Sequence, residues 1–181
     1  MNIVITGIQG SGKGTHAVRL ADVMKIKHIS FGDTIKSCFN ECPELVLPYT
    51  LEKYNRGELA EDQVLFNVAN KFLPEIETQY GGFILDGFPR TEGQMKFVLD
   101  NYKIDMCIRL VIPREIAIER MKMRGRSDDT DEGIKRRLDQ YYNITEPCFD
   151  VFKSMNKMIE IDSTGSKKST FDSILKELSN A

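Results

Sequence analysis

Gly7-Ile8-Gln9-Gly10-Ser11-Gly12-Lys13-Gly14-Thr15 follows the apolar run Ile3-Val4-Ile5 and leads into Ala17, Val18, Leu20, Ala21, Val23 and Met24. A short buried strand, a glycine-rich turn and a helix with apolar residues three or four apart follow one another. Glycine has no Cβ, so the turn can bring successive N–H groups close to one anion. The helix that starts near Lys13 adds its unpaired N–H groups and the positive end of its dipole. Lys13 adds a mobile charge beside the outer phosphates. The pattern G-x-x-x-x-G-K-[ST] fails by one residue, because Gly14 stands where a hydroxyl is expected and Thr15 comes next. Gly10, Ser11, Gly12, Lys13, Gly14 and Thr15 therefore form a candidate phosphate cradle.

The rest of the chain places that cradle on a sheet. His28-Ile29-Ser30 reads as a second strand, and Phe31-Gly32-Asp33 as the turn into a helix capped near Asp33. From there to about residue 72 the pattern is helical and interrupted by Pro43, Pro48 and Arg56-Gly57, with no strand signal. A short helix or turn is expected over 74–80. Gly82 to Asp86 reads as a buried strand ending in an acid, and Thr91 as the cap of a helix containing Met95, Phe97, Val98 and Leu99. Met106 to Ile112 is a further strand and Pro113 suits the start of the next helix. That helix runs to about Met123, and a long one is expected over about 130–155. Met158 to Ile161 is the last strand, and a helix over about 170–178 closes the chain. Five apolar strands alternating with helices predict an α/β fold, a parallel sheet with helices on both faces. Ligands on such sheets bind at the carboxyl ends of the strands.

Length and composition set bounds on the function. The chain has 181 residues, enough for one domain with small inserts. A net charge of −2 gives no overall attraction to nucleic acid or to anionic lipid. No run of 18 apolar residues occurs, and Met1-Asn2-Ile3-Val4 enters a strand without a basic leader, so a cytoplasmic location is expected. Cys38, Cys42, Cys107 and Cys148 form no C-x-x-C pair, which predicts free thiols and no zinc site.

Several marked residues fall just after strand ends, and together they resemble a known family. Gly7 to Thr15, Ser30-x-Gly32-Asp33, Asp86 to Thr91 with Gln94, Arg120-x-x-x-Arg124, Arg126-x-Asp128-Asp129 and Arg137 are similar to the motifs of nucleoside monophosphate kinases, most closely the adenylate kinases. The resemblance runs in register from Met1 to the final helix, and Asp86 to Thr91 is its most specific part. It implies a P-loop nucleotide-kinase fold in one domain over 1–181, with a helical monophosphate-binding insert at about 31–72 and a minimal lid at about 124–130. Residues 10 to 15 would hold the ATP phosphates, with Arg120 against the ATP base, Arg124 on its phosphates and Gly165 lining the base pocket. The monophosphate would sit under the insert, bounded by Phe31 and by Gly87, Phe88 and Pro89. Glu58, Leu59 and Ala60 would offer backbone to its base, and Gln94 would read the base edge. Its phosphate would meet Lys36, Arg90, Arg126 and Arg137. The implied catalytic set is Lys13, Arg90, Arg124, Arg126 and Arg137, the implied substrates are ATP and AMP, and the implied state is a monomer.

The side-chain inventory suits that chemistry. Positioning and charge stabilisation supply most of the catalysis in phosphoryl transfer. A phosphate oxygen is already nucleophilic near neutral pH, so a chain with only two histidines, His16 and His28, needs no general base. Mg²⁺ prefers oxygen ligands and keeps several waters, which points to Asp86 and Asp33 acting through water. Asp33 also reads as a plain helix cap. Gln9, Phe31 and Lys36 stand where adenylate kinases generally carry proline, threonine and arginine. The last two bear on the acceptor, leaving UMP or CMP as an alternative to AMP. Gln94 favours AMP, because an amide both donates to and accepts from an adenine edge. A nucleotide-binding regulator without turnover is the remaining alternative, and it would be expected to lack Lys13 or the phosphate arginines.

Overall fold

The five expected strands are Asn2–Gly7 (β1), Lys27–Ser30 (β2), Phe83–Asp86 (β3), Met106–Val111 (β4) and Met158–Asp162 (β5). They form one sheet in the order β2-β3-β1-β4-β5, with every pairing parallel. The structure is a computed structural model that describes residues 1–125 and 129–180. Arg126, assigned above to both the catalytic and the monophosphate set, lies outside the described residues.

Side chains alternate across each strand, and the two sets of apolar residues bury against different helices. Val4, Ile29, Phe83, Leu85 and Cys107 join a core with Phe31–Glu41 (α2), Asp62–Tyr80 (α4) and Glu92–Asn101 (α5). Ile3, Ile5, Ile84, Ile108 and Ile161 face the opposite way, against Lys13–Met24 (α1) and Lys167–Asn180 (α10). A third cluster packs Ile8 of the cradle and Ile112 onto Ala117 and Met121 of Arg114–Arg124 (α6) and Ile134 and Leu138 of Asp131–Gln140 (α7). Helices therefore cover both faces, as the alternating pattern predicted.

Three helix expectations are corrected. The second helix starts at Phe31, not near Asp33: Ser30 is its N-cap, and its Oγ accepts from the Asp33 N–H at 3.3 Å. The hydroxyl one turn earlier does the capping expected of the carboxylate. The expected break before residue 74 is absent, since α4 runs through Pro74. Proline inside a helix costs about 3 kcal/mol, and burial of Val64, Leu65, Val68, Ala69 and Leu73 along the same helix offsets it. The single helix expected to about residue 155 is broken after α7 by a widened turn, Tyr141–Thr145, before the short helices Glu146–Cys148 (α8) and Asp150–Ser154 (α9). Pro147 has no N–H to return to residue 143, which removes the regular bond just where the turn widens.

Between β2 and β3 the chain makes α2, a 3₁₀ turn at Pro43–Leu45, the short helix Leu51–Asn55 (α3) and α4, with no strand. This helical segment leans on the sheet through Phe31, whose ring stacks on Phe88 with centroids 4.3 Å apart. In register, Asp86 lies beside Ile5 of β1 and Ser30 of β2. That pairing sets an acid at the carboxyl end of β3, next to the cradle leaving the central strand.

Candidate active site

The cradle is shaped by close backbone approaches. Gly7 and Gly10 have φ of 139° and 88°. A Cβ on Gly7 would strike the Leu110 carbonyl, and one on Gly10 would come within 2.8 Å of the Ala117 carbonyl oxygen. Gly12 is the N-cap of α1, and no side chain caps that helix and no acid occupies its first turn. Its leading N–H groups are thus left for an anion. Ser11 is fully buried with its Oγ unpartnered, and Ser163 Oγ donates to the Ser11 carbonyl at 2.8 Å.

Lys13 folds back over this turn, donating from Nζ to the carbonyls of Gly7 at 2.6 Å and Ile8 at 3.0 Å. Burial pushes its pKa down to about 8; Asp86 opposes the shift, while Arg90 and Arg124 add to it. A polyphosphate in the turn would reverse the imbalance by supplying negative charge. On the donor side Arg120 donates to the Gly10 carbonyl at 3.4 Å and the Thr164 carbonyl at 3.2 Å. It ties the turn to the loop containing Gly165.

A cleft of about 520 Å³ opens between the helical segment and the carboxyl ends of the strands. Phe31, Glu58, Leu59, Ala60, Gly87 and Gln94 line it. Tyr49, also in its lining, donates from its hydroxyl to the Glu58 carbonyl at 2.6 Å. Lys36, Arg90, Arg124 and Arg137 give the cleft its positive charge, and Asp33 lines it too. A smaller pocket on the cradle side is lined by Lys13, Gln9, Pro89 and again Arg90. Arg90 therefore faces both the cradle and the cleft. Its Nε donates to the Gly87 carbonyl at 2.7 Å, which fixes the guanidinium against the loop after β3. Burial pulls its pKa below the ordinary arginine value, with Asp86 as the main opposing charge.

Most expected site residues converge here, with two differences. Phe88 was expected at the monophosphate, but its side chain is 1% exposed and belongs to the core, stacked on Phe31. Gln94 lines the cleft yet is 2% exposed, and both ends of its amide already have protein partners. A residue given no role in the sequence is Asp129, whose carboxylate is 1% exposed. It receives Arg124 through two bonds, at 3.0 and 2.7 Å, and Arg137 at 2.8 Å. One acid thus gathers two of the cations. Its place in the motif Arg126-x-Asp128-Asp129 was the available signal.

Burial works against the Asp86 charge, but His28, whose Nε2 lies 3.4 Å from Asp86 Oδ2, and the charges of Lys13 and Arg90 outweigh it and hold the carboxyl below its usual range. Asp86 Oδ2 lies 3.3 Å from where a Gly14 side chain would begin. A charged carboxylate at the mouth of a phosphate cradle fits Mg²⁺ bound through water, with phosphate oxygens as the other ligands. Among the described residues no group of three or more His, Cys, Asp or Glu converges as a metal site of its own. The cysteines are free. Burial raises Cys38 to about 12, with Cys42 adding to the shift, and raises Cys107 further, so neither is a thiolate nucleophile.

A glycine-rich anion site after the central strand of a parallel sheet, opening on a cation-walled cleft, defines a phosphate-handling α/β protein. A sequence model described as Adenylate kinase matches residues 5–157. The adenylate kinase of Corynebacterium urealyticum is 34% identical over 171 residues, covering 92% of each chain. That of Xanthomonas campestris pv. campestris is 32% identical over 191 aligned positions, covering 100% of this chain and 98% of its own. That of Clostridium perfringens is 31% identical over 215 aligned positions, covering 98% of both. The chain belongs to the adenylate kinase family and is a phosphotransferase. No helix among the described residues is long and apolar enough to cross a membrane.

Proposed function

We propose that the protein transfers the γ-phosphoryl group of Mg·ATP reversibly to AMP, giving two ADP. An oxygen of the AMP phosphate forms the new bond to the γ-phosphorus, and the bond from that phosphorus to the bridging oxygen of the β-phosphate breaks. No proton has to be removed by the protein. The observation that carries this reading is Arg90, which lines both the cradle-side pocket and the cleft. A guanidinium between donor and acceptor phosphates stabilises charge that passes from one to the other.

In this reading residues 10 to 15 hold the ATP phosphates, with Lys13 leaving the Gly7 and Ile8 carbonyls to meet them. Arg120 and Gly165 border the ATP base. The segment over about 31–72 is the monophosphate-binding insert, and the stretch around 124–130 is a minimal lid. Lys36, Arg90 and Arg137 receive the AMP phosphate, and residues 58 to 60 with Gln94 border its base. Arg124 and Arg137 exchange Asp129 for phosphate oxygens. Mg²⁺ would be held through water by Asp86 and Asp33, and it supplies neutralisation of the phosphate charge. The protein acts as a cytoplasmic monomer.

A coupled assay offering Mg·ATP with AMP, CMP, UMP or GMP tests the proposal. Turnover with AMP at least tenfold more efficient than with the others is expected, on the order of what a pair of base-edge hydrogen bonds supplies. Preference for UMP or CMP would reassign the acceptor, and no turnover with any of the four would refute the proposal.

A further inference from the structure

Gln94 is held from both sides. Its Oε1 accepts the Arg90 N–H at 2.7 Å and its Nε2 donates to Asp62 Oδ1 at 2.8 Å. Asp62 belongs to the first turn of α4, at the end of the helical segment. Thr91 Oγ1 donates to both oxygens of the same carboxylate, at 3.1 and 3.3 Å, and accepts the Gln94 N–H at 3.2 Å. The hydroxyl proton is committed to Asp62, so the carboxylate can only accept on this side. Gly93 supplies the space: a Cβ there would collide with Asp62 Oδ2.

We propose that Asp62 sets base selectivity, by fixing the Gln94 amide in the one orientation that reads a 6-amino purine and rejects a 6-oxo purine. The inference rests on the AMP reading above and deepens it. An amide can turn over and exchange its oxygen and nitrogen at little intrinsic cost, and its neighbours decide which face it shows. Turning Gln94 over would set Oε1 against a carboxylate and Nε2 against a backbone N–H. Both bonds would become repulsions. In the held orientation Oε1 keeps one lone pair and Nε2 keeps one proton. These match the N6 donor and N1 acceptor of adenine. Hypoxanthine presents an acceptor at O6 and a donor at N1, so in the same pose it meets two mismatches. Asp62 acts through Gln94 and is a positioning residue. Because it sits 32 residues from Gln94 on a different helix, it also makes the selectivity depend on the docking of α4 against α5.

The test compares kcat/KM for AMP and for inosine monophosphate, which differ only at this edge. Asp62→Ala is expected to reduce the AMP to IMP ratio by about tenfold or more, mainly through KM, as expected for losing one partner of a buried polar group. Asp62→Asn keeps a carbonyl for Nε2 and should hold the ratio within about threefold of wild type. Gly93→Ala leaves Asp62 in the chain but displaces its carboxylate, so it should also lower the ratio, and it decides the matter if Asp62→Ala does not fold. Equal losses with both substrates and an unchanged ratio, in Asp62→Ala and Gly93→Ala alike, would overturn the proposal while leaving the AMP reading intact. A wild-type enzyme that uses IMP as well as AMP would also overturn the proposal, whereas one that turns over neither would overturn the AMP reading on which it rests.

Discussion

Lys13 offers a proton-linkage test of the cradle. Its ammonium is buried against the Gly7 and Ile8 carbonyls, and that burial sets its pKa at about 8 against 10.5 for an ordinary lysine. At pH 8.5 roughly a quarter of the free enzyme then carries the charge, and at pH 6.5 nearly all of it does. A bound polyphosphate favours the charged form, so binding at pH 8.5 should draw in roughly 0.7 proton, and at pH 6.5 none through this group. Calorimetric titration with a non-hydrolysable ATP analogue, in buffers of low and high ionisation enthalpy, measures that number directly. Lys13→Met should abolish it at pH 8.5. The stability linkage has a definite sign as well. The folded pKa lies below the unfolded one, so the unfolded chain binds more protons between about pH 8 and 10.5, and this group's contribution to stability rises with pH across that window. Lys13→Met should remove that rise. Uptake below roughly 0.2 proton at pH 8.5, or uptake that persists in Lys13→Met, would refute the burial argument.

Arg90→Ala should lower kcat/KM by about 10²-fold or more, as when one preorganised donor is lost; steady-state rates within threefold of wild type would show that Arg90 is misassigned. Phe31→Ala removes a ring that is 1% exposed and stacked on Phe88. Urea unfolding should show a loss of about 3–5 kcal/mol, and a loss under about 1 kcal/mol would mean the helical segment does not depend on that contact. Gly10→Ala forces a side chain into positive φ and to within 2.8 Å of the Ala117 carbonyl oxygen. It should lower the melting temperature and weaken ATP-analogue binding together, and unchanged affinity would show that the turn does not hold the phosphates.

Much of the fold was legible because its signals are short-range. A strand that alternates its apolar residues, a turn that needs glycine at Gly7 and Gly10, and a hydroxyl that caps from Thr91 each depend on a few neighbouring residues. The errors came where local preference met tertiary packing. Pro74 reads as a break, yet five buried side chains carry α4 through it. The helix expected over about 130–155 passed over Pro147, which falls where a long helix would have needed its N–H.

The candidate site divides along the same line. By itself the sequence determined that a glycine-rich turn shaped for an anion follows the first strand, that an acid ends β3, and that several arginines lie near them in the family motifs, because residue type and near spacing carry that information. Only the tertiary structure decided which groups hold them. Asp129 gathers Arg124 and Arg137, Phe31 stacks on Phe88, and Asp62 orients Gln94. These partnerships join residues on separate elements, and a side chain's hydrogen-bond partner is set by how those elements pack rather than by its own neighbours in the chain.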